Sequence, residues 1–99
     1  MTGSYAVVWS GDDGVASGRL EPCADGFELY GRHRRSSIPF GDLVGASIAR
    51  RHADRLRGLP VLVLLTRSGV RVRIASLEGA GVLHELAQHV ERAGLPVTS

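Results

Sequence analysis

The stretch from Leu59 to Ala75 (Leu-Pro-Val-Leu-Val-Leu-Leu-Thr-Arg-Ser-Gly-Val-Arg-Val-Arg-Ile-Ala) constrains the fold more than any other part of the chain. It reads as two β-strands joined by a tight turn, because the apolar runs are short, β-branched and interrupted by turn residues. In the first strand Val61, Val63 and Leu65 point one way and Leu62, Leu64 and Thr66 the other. Both faces are mostly apolar, so the strand needs a cover on each side. Arg67-Ser68-Gly69 turns the chain, with Gly69 supplying the position that tolerates positive φ. In the return strand Val70, Val72 and Ile74 share one face while Arg71 and Arg73 share the other, the mark of one buried and one solvated face.

The one convincing helix follows, from about residue 79 to 93. Val82, Leu83, Leu86, Ala87 and Val90 recur at three- and four-residue spacing and form an apolar stripe. Glu85, Gln88, Glu91 and Arg92 lie on the other side. Gly94 with Pro96 beyond it is a stop signal, and Ser76 and Gly79 are the candidate N-caps. His84 and His89, five residues apart, fall on different faces and are not a metal pair.

Upstream, the chain reads as short strands. Tyr5–Ser10 is the first. Gly11-Asp12-Asp13-Gly14 is a turn whose two carboxylates lack the series of acceptors that a calcium loop needs. Val15–Cys23 returns, Ala24-Asp25-Gly26 turns again, and Phe27–Gly31 follows with Phe27 and Leu29 inward and Glu28 and Tyr30 outward. Ser36–Phe40 is a short strand in which Pro39 marks an edge or a bulge. Leu43–Arg51 is the next, with Val44, Ala46 and Ile48 on one face and Gly45, Ser47 and Ala49 on the other. Arg51–Gly58 is polar and irregular and reads as a mobile loop.

Ninety-nine residues make one domain, 1–99, large enough to bury a core without metals or disulfides. The lone Cys23 excludes an internal disulfide and has no nearby His or CxxC partner to make it a nucleophile. No apolar run reaches membrane-span length, and no basic segment followed by an apolar one marks a signal peptide, so the expected location is cytoplasmic. Net charge is only +2, and all twelve basic residues are arginine. No P-loop, GxSxG, HExxH or paired Cys/His spacing is present, so neither an enzyme nor a cofactor is expected. With five aromatic residues, a stacking platform for nucleic acid is not expected either.

Seven antiparallel strands followed by one amphipathic helix predict a mainly β fold. A strongly bent sheet or open barrel, with the helix plugging one opening or packed on its side, buries both the helix stripe and the two-faced strand.

Gly18-Arg-Leu20 with Gly26-Phe-Glu-Leu29, Ile38-Pro-Phe40 with Asp42-Leu-Val44, Leu62-Val-Leu64, and Gly69–Ile74 before the terminal helix resemble the pleckstrin-homology superfamily, in particular its small bacterial PH-like domains. The resemblance spans Gly14 to Gly94. It implies a binding or scaffolding module without catalysis. Some members bind phosphoinositides through basic residues at a barrel mouth, but the lysine-rich motif of those lipid binders has no counterpart in a chain without lysine.

In a simple up-and-down ladder alternate loops fall at the same end. The turn Gly11–Gly14, the loop Arg32–Arg35 and the loop Arg51–Gly58 would then share a rim carrying Arg32, Arg34, Arg35, Arg51, Arg55 and Arg57, diluted by Asp12, Asp13 and Asp54. The expected partner is another protein or a second copy of the chain, met at a strand edge or at the outer faces near Pro39. The alternative is peripheral attachment to an anionic membrane surface through the arginine rim.

Overall fold

The computed structural model describes residues 3–12 and 14–98, so Asp13 lies outside the described residues. Its elements are β1 (Tyr5–Gly11), β2 (Gly14–Cys23), β3 (Gly26–Gly31), β4 (Arg35–Pro39), β5 (Leu43–Ala49), β6 (Val61–Thr66), β7 (Arg71–Ser76), α1 (Ala80–Arg92) and β8 (Val97–Thr98). They form a mainly β fold with one helix. The strands make a single curled sheet in the order β4-β3-β2-β1-β7-β6-β5-β8. Two meanders, β1 to β4 and β5 to β7, are joined by antiparallel pairing of β1 with β7, where Trp9 sits opposite Ile74. All other neighbours are antiparallel except β5 and β8, which run parallel.

The curl brings the inner faces of both meanders into one core. Val7, Trp9, Leu20, Phe27, Leu29 and Ile38 from one half meet Leu43, Ile48, Leu62, Leu64 and Ile74 from the other, with Leu83, Leu86, Ala87 and Val90 of α1 completing it. The stripe read from the sequence is the buried one. Each fully buried Leu or Val on it contributes about 1.5–3 kcal/mol of transfer free energy before entropy costs. Gly79, at φ 111°, is the helix N-cap, while the Ser76 hydroxyl accepts a bond from the Glu78 amide instead. At the other end Gly94 has φ 97°. The Leu95 amide donates to the Val90 carbonyl at 3.3 Å and the Gly94 amide to the Glu91 carbonyl at 2.9 Å, a Schellman stop.

The central hairpin turns as expected. Gly69 has φ 90°, and the Thr66 amide donates to the Val70 carbonyl at 3.0 Å. The two covers of β6 come from different places. Leu62 and Leu64 face the core and helix, whereas Val61 on the reverse face packs with Leu56, Val8 and Ala75 in a second, smaller cluster. The segment expected to be a mobile loop therefore supplies a lid. Its Leu56 is only 6% exposed. Leu56 and Leu59 exchange two backbone bonds of 3.0 Å around Arg57-Gly58, which have φ 52° and 77°. That is a two-residue turn with both central residues left-handed. The lid stops short of Leu65, which is 37% exposed.

Two local readings change. The register slips between Leu43 and Gly45, which oppose Thr66 and Leu65 in succession, so Val44 is the extra residue of a β-bulge. It is 54% exposed and does not share the inner face with Ala46 and Ile48; Leu43 is buried in its place. The eighth strand, β8, was not expected. Leu95 and Val97 pack against the core and lay this segment along the outer side of β5, with Val97 opposite Ala46.

Candidate functional site

The strand order decides which loops share an end. β7 runs antiparallel to β1, with Ser10 opposite Arg73 and Val7 opposite Ser76. The β6–β7 turn therefore lies at the same end as the β1–β2 and β3–β4 turns. The segment between β5 and β6 falls at the opposite end, where α1 closes the sheet: Tyr5 bonds Glu85, Arg50 Nη2 lies 3.4 Å from His84 Nε2, and the Phe27 and His89 rings stand 6.5 Å apart.

The six arginines are thereby divided. Arg32, Arg34 and Arg35 are at the mouth, and Arg51, Arg55 and Arg57 are at the helix end. Arg55 is engaged with its own loop, its guanidinium donating to the carbonyls of Arg50 at 3.2 Å and Gly58 at 3.3 Å. The partner turn at the mouth is Arg67–Gly69, which no reading of alternate loops along the chain selects.

The mouth opens into a cleft of about 250 Å³. Trp9, Leu29, Ile38, Val70 and Val72 give it an apolar floor, and Ser36, Thr66 and Ser68 supply hydroxyls. Arg34, Asp12 and Asp42 bring one cation and two carboxylates to its rim. One wall is β4, an end strand of the sheet.

The pairing of β4 shows which of its backbone groups are open. The Gly31 amide donates to the Arg34 carbonyl at 2.6 Å and the Phe40 amide to the Asp25 carbonyl at 2.8 Å. Both bonds continue the register in which Tyr30 opposes Arg35 and Gly26 opposes Pro39. Hydrogen-bonded pairs alternate along an antiparallel ladder. Ser36 and Ile38 therefore bond to β3, while Arg35 and Ser37 turn both amide and carbonyl to the open side. Pro39 turns its carbonyl there too, and its missing N–H breaks no ladder bond. On the outer face the Arg35 guanidinium lies 5.2 Å from the centre of the Tyr30 ring, and the Ser37 hydroxyl donates to Glu28 at 2.6 Å.

Two glycines in this half of the sheet have a steric reason. A Cβ on Gly26 would meet the carbonyl oxygen of Ile38 in β4, and a Cβ on Gly18 would meet that of Tyr30 in β3. Cys23, half-buried at the β2–β3 turn, has its thiol pKa pushed up, first by burial and then by Glu21, Glu28 and Asp25. Among the described residues no three His, Cys, Asp or Glu side chains cluster as a metal site, and no helix is long and apolar enough to cross a membrane.

No family model matches the chain, and no curated protein matches it. Among solved structures 13 chains match. One is the crystal structure of the C-terminal domain of an unknown protein from Leishmania infantum, with a TM-score of 0.68 at 11% sequence identity, covering 90% of this chain and 82% of that one. At that identity the similarity concerns the fold alone.

Proposed function

We propose that this chain is a pleckstrin-homology-like interaction module, without catalytic activity of its own, that takes an extended segment of a protein as an added strand along β4. The observation that carries the reading is the row of outward-facing backbone groups at Arg35 and Ser37. They flank an open cleft, so main-chain bonds can supply affinity and the cleft can supply selectivity. The superfamily assignment draws support from the meanders of four and three strands closed through β1 and β7, with a helix plug at one end. The module works in the cytoplasm in this reading, in keeping with a single cysteine that has no disulfide partner in the chain. An arginine rim for anionic headgroups draws less support, because its arginines lie at two ends and Asp12 and Asp42 share the mouth with Arg34.

Panning a displayed library of extended peptides tests the proposal. Enriched peptides should perturb the amide resonances of Arg35 and Ser37, and Ser37→Pro, which deletes one outward donor while keeping an edge-compatible backbone, should lose them. A library without binders, or binders that map to α1 or to the Arg51–Gly58 loop, would overturn it.

A further inference from the structure

We infer that the segment accepted at β4 is one in which an acidic residue alternates with apolar ones, and that it is not a second copy of β4. This rests on the reading above that β4 is the binding edge.

Residues directly opposite one another in neighbouring strands point to the same face. Residues of an incoming strand opposite Ser36 and Ile38 therefore point inward, toward the cleft over Trp9, Leu29, Val70 and Val72. A cleft of about 250 Å³ has room for one aromatic or two aliphatic side chains. With Arg34, Asp12 and Asp42 of mixed sign on its rim, uncharged side chains suit it best. Residues opposite Arg35 and Ser37 point outward. Beside Arg35 a carboxylate pairs favourably, and the exposed Arg32 in the adjoining turn strengthens that preference. Beside Ser37, whose hydroxyl is bonded to Glu28, a second carboxylate would be repelled, so a small polar or basic residue fits there.

A second copy of β4, Arg-Ser-Ser-Ile-Pro, meets these requirements poorly. It has no acid, only one large apolar residue besides Pro39, and no N–H at Pro39 to return a bond. An axis at Arg35 would also set the two Arg35 side chains directly opposite each other, a like-charge pair.

The chain has one tryptophan, and it is 4% exposed on the cleft floor, so its emission reports filling of the cleft. The probe is an eight-residue capped peptide with Glu in the position opposite Arg35, Leu in the two inward positions and Ser between them. It should shift Trp9 emission and bind in a salt-sensitive way. The same peptide with Lys for Glu should bind about five- to tenfold more weakly, and Arg35→Glu should reverse that preference. Equal binding of both peptides would overturn the inference, as would an unchanged Trp9 emission. A doubling of mass in sedimentation without peptide, abolished by Ser37→Pro, would assign the edge to a second copy and overturn the peptide chemistry while leaving the edge reading intact. Peptide binding that survives Ser37→Pro with unchanged affinity would instead remove the edge reading itself.

Discussion

The Tyr5 hydroxyl donates to a Glu85 carboxylate oxygen at 2.8 Å, joining the first strand of the sheet to the helix that plugs it. This bond raises the phenol pKa of Tyr5 above its ordinary value near 10, with smaller contributions from burial and from the charges of Glu85 and Glu78. A raised value means that the fold favours the protonated phenol. The stabilisation is complete below about pH 10 and is lost as pH rises through the higher folded value. Tyr5→Phe should lower stability by about 0.5–1 kcal/mol at pH 8, and the gap to the natural chain should close above pH 10. Urea midpoints of both proteins from pH 8 to 11 check this; a gap that widens at high pH would contradict it.

Leu86 and Leu56 belong to the two separate apolar clusters and should respond differently. Leu86 is fully buried between the helix and both halves of the sheet, so Leu86→Ala should cost about 2–5 kcal/mol. Leu56→Ala removes one contact of a four-residue cluster under a surface lid and should cost less, with the added effect of exposing Val61 and Ala75. Chemical denaturation gives the first difference. Faster amide exchange confined to the outer-face residues of β6 and β7 gives the second.

Gly18→Ala should be severely destabilising for so small a change. Its Cβ would meet the backbone carbonyl of Tyr30, which has no side-chain freedom with which to move away. The expected loss is about 1–3 kcal/mol or more, and it should appear as a lowered melting temperature. Gly81→Ala, where a Cβ has open space around it inside the first turn of α1, is the contrasting control and should be neutral or stabilising.

Arg57 is the one described non-glycine residue with positive φ, at 52°. Asn and Gly occupy that conformation at lower cost than Arg. Arg57→Asn should therefore raise stability by about 0.5–1 kcal/mol, or several degrees of melting temperature in a domain of this size. An unchanged or lowered midpoint would argue against a left-handed turn at this position.

Cys23 should alkylate more slowly than a free thiol at neutral pH, because burial and three neighbouring carboxylates disfavour the thiolate. Guanidinium should restore the ordinary rate. Iodoacetamide labelling followed by mass spectrometry distinguishes the two conditions.

Much of the architecture is written in periods of two and of three to four residues. Phe27 and Leu29 alternate with Glu28 and Tyr30, and the stripe Leu83, Leu86, Ala87, Val90 recurs as a helix face; burial follows both patterns. Features without a period escape such reading. Val44 lies in a register slip that no residue type announces. Leu56 is a single apolar residue in a charged run. The two residues of β8 are too few to alternate. The division of the arginines has a different origin. Counting alternate loops assumes one flat ladder, whereas closure of the two meanders through β1 and β7 reverses the parity of the second. That places the Arg51–Gly58 lid at the helix end and puts Arg67–Gly69 at the mouth. Pro39 was a legible sign of an edge, and the backbone pairing adds which groups that edge leaves open.

The parallel strand β8 has a further effect on assembly. Along the outer side of β5 it covers amides and carbonyls around Ala46 and Ser47, and Pro96 just before it has no N–H to offer a further strand. A sheet extensible on both sides can grow without limit, each recruit offering a new template to the next. With β8 covering β5 at Ala46 and Ser47, growth from chain to chain cannot join the β4 edge of one copy to those positions of the next. Pairing of two copies through those positions of β5 should therefore require β8 to be displaced first.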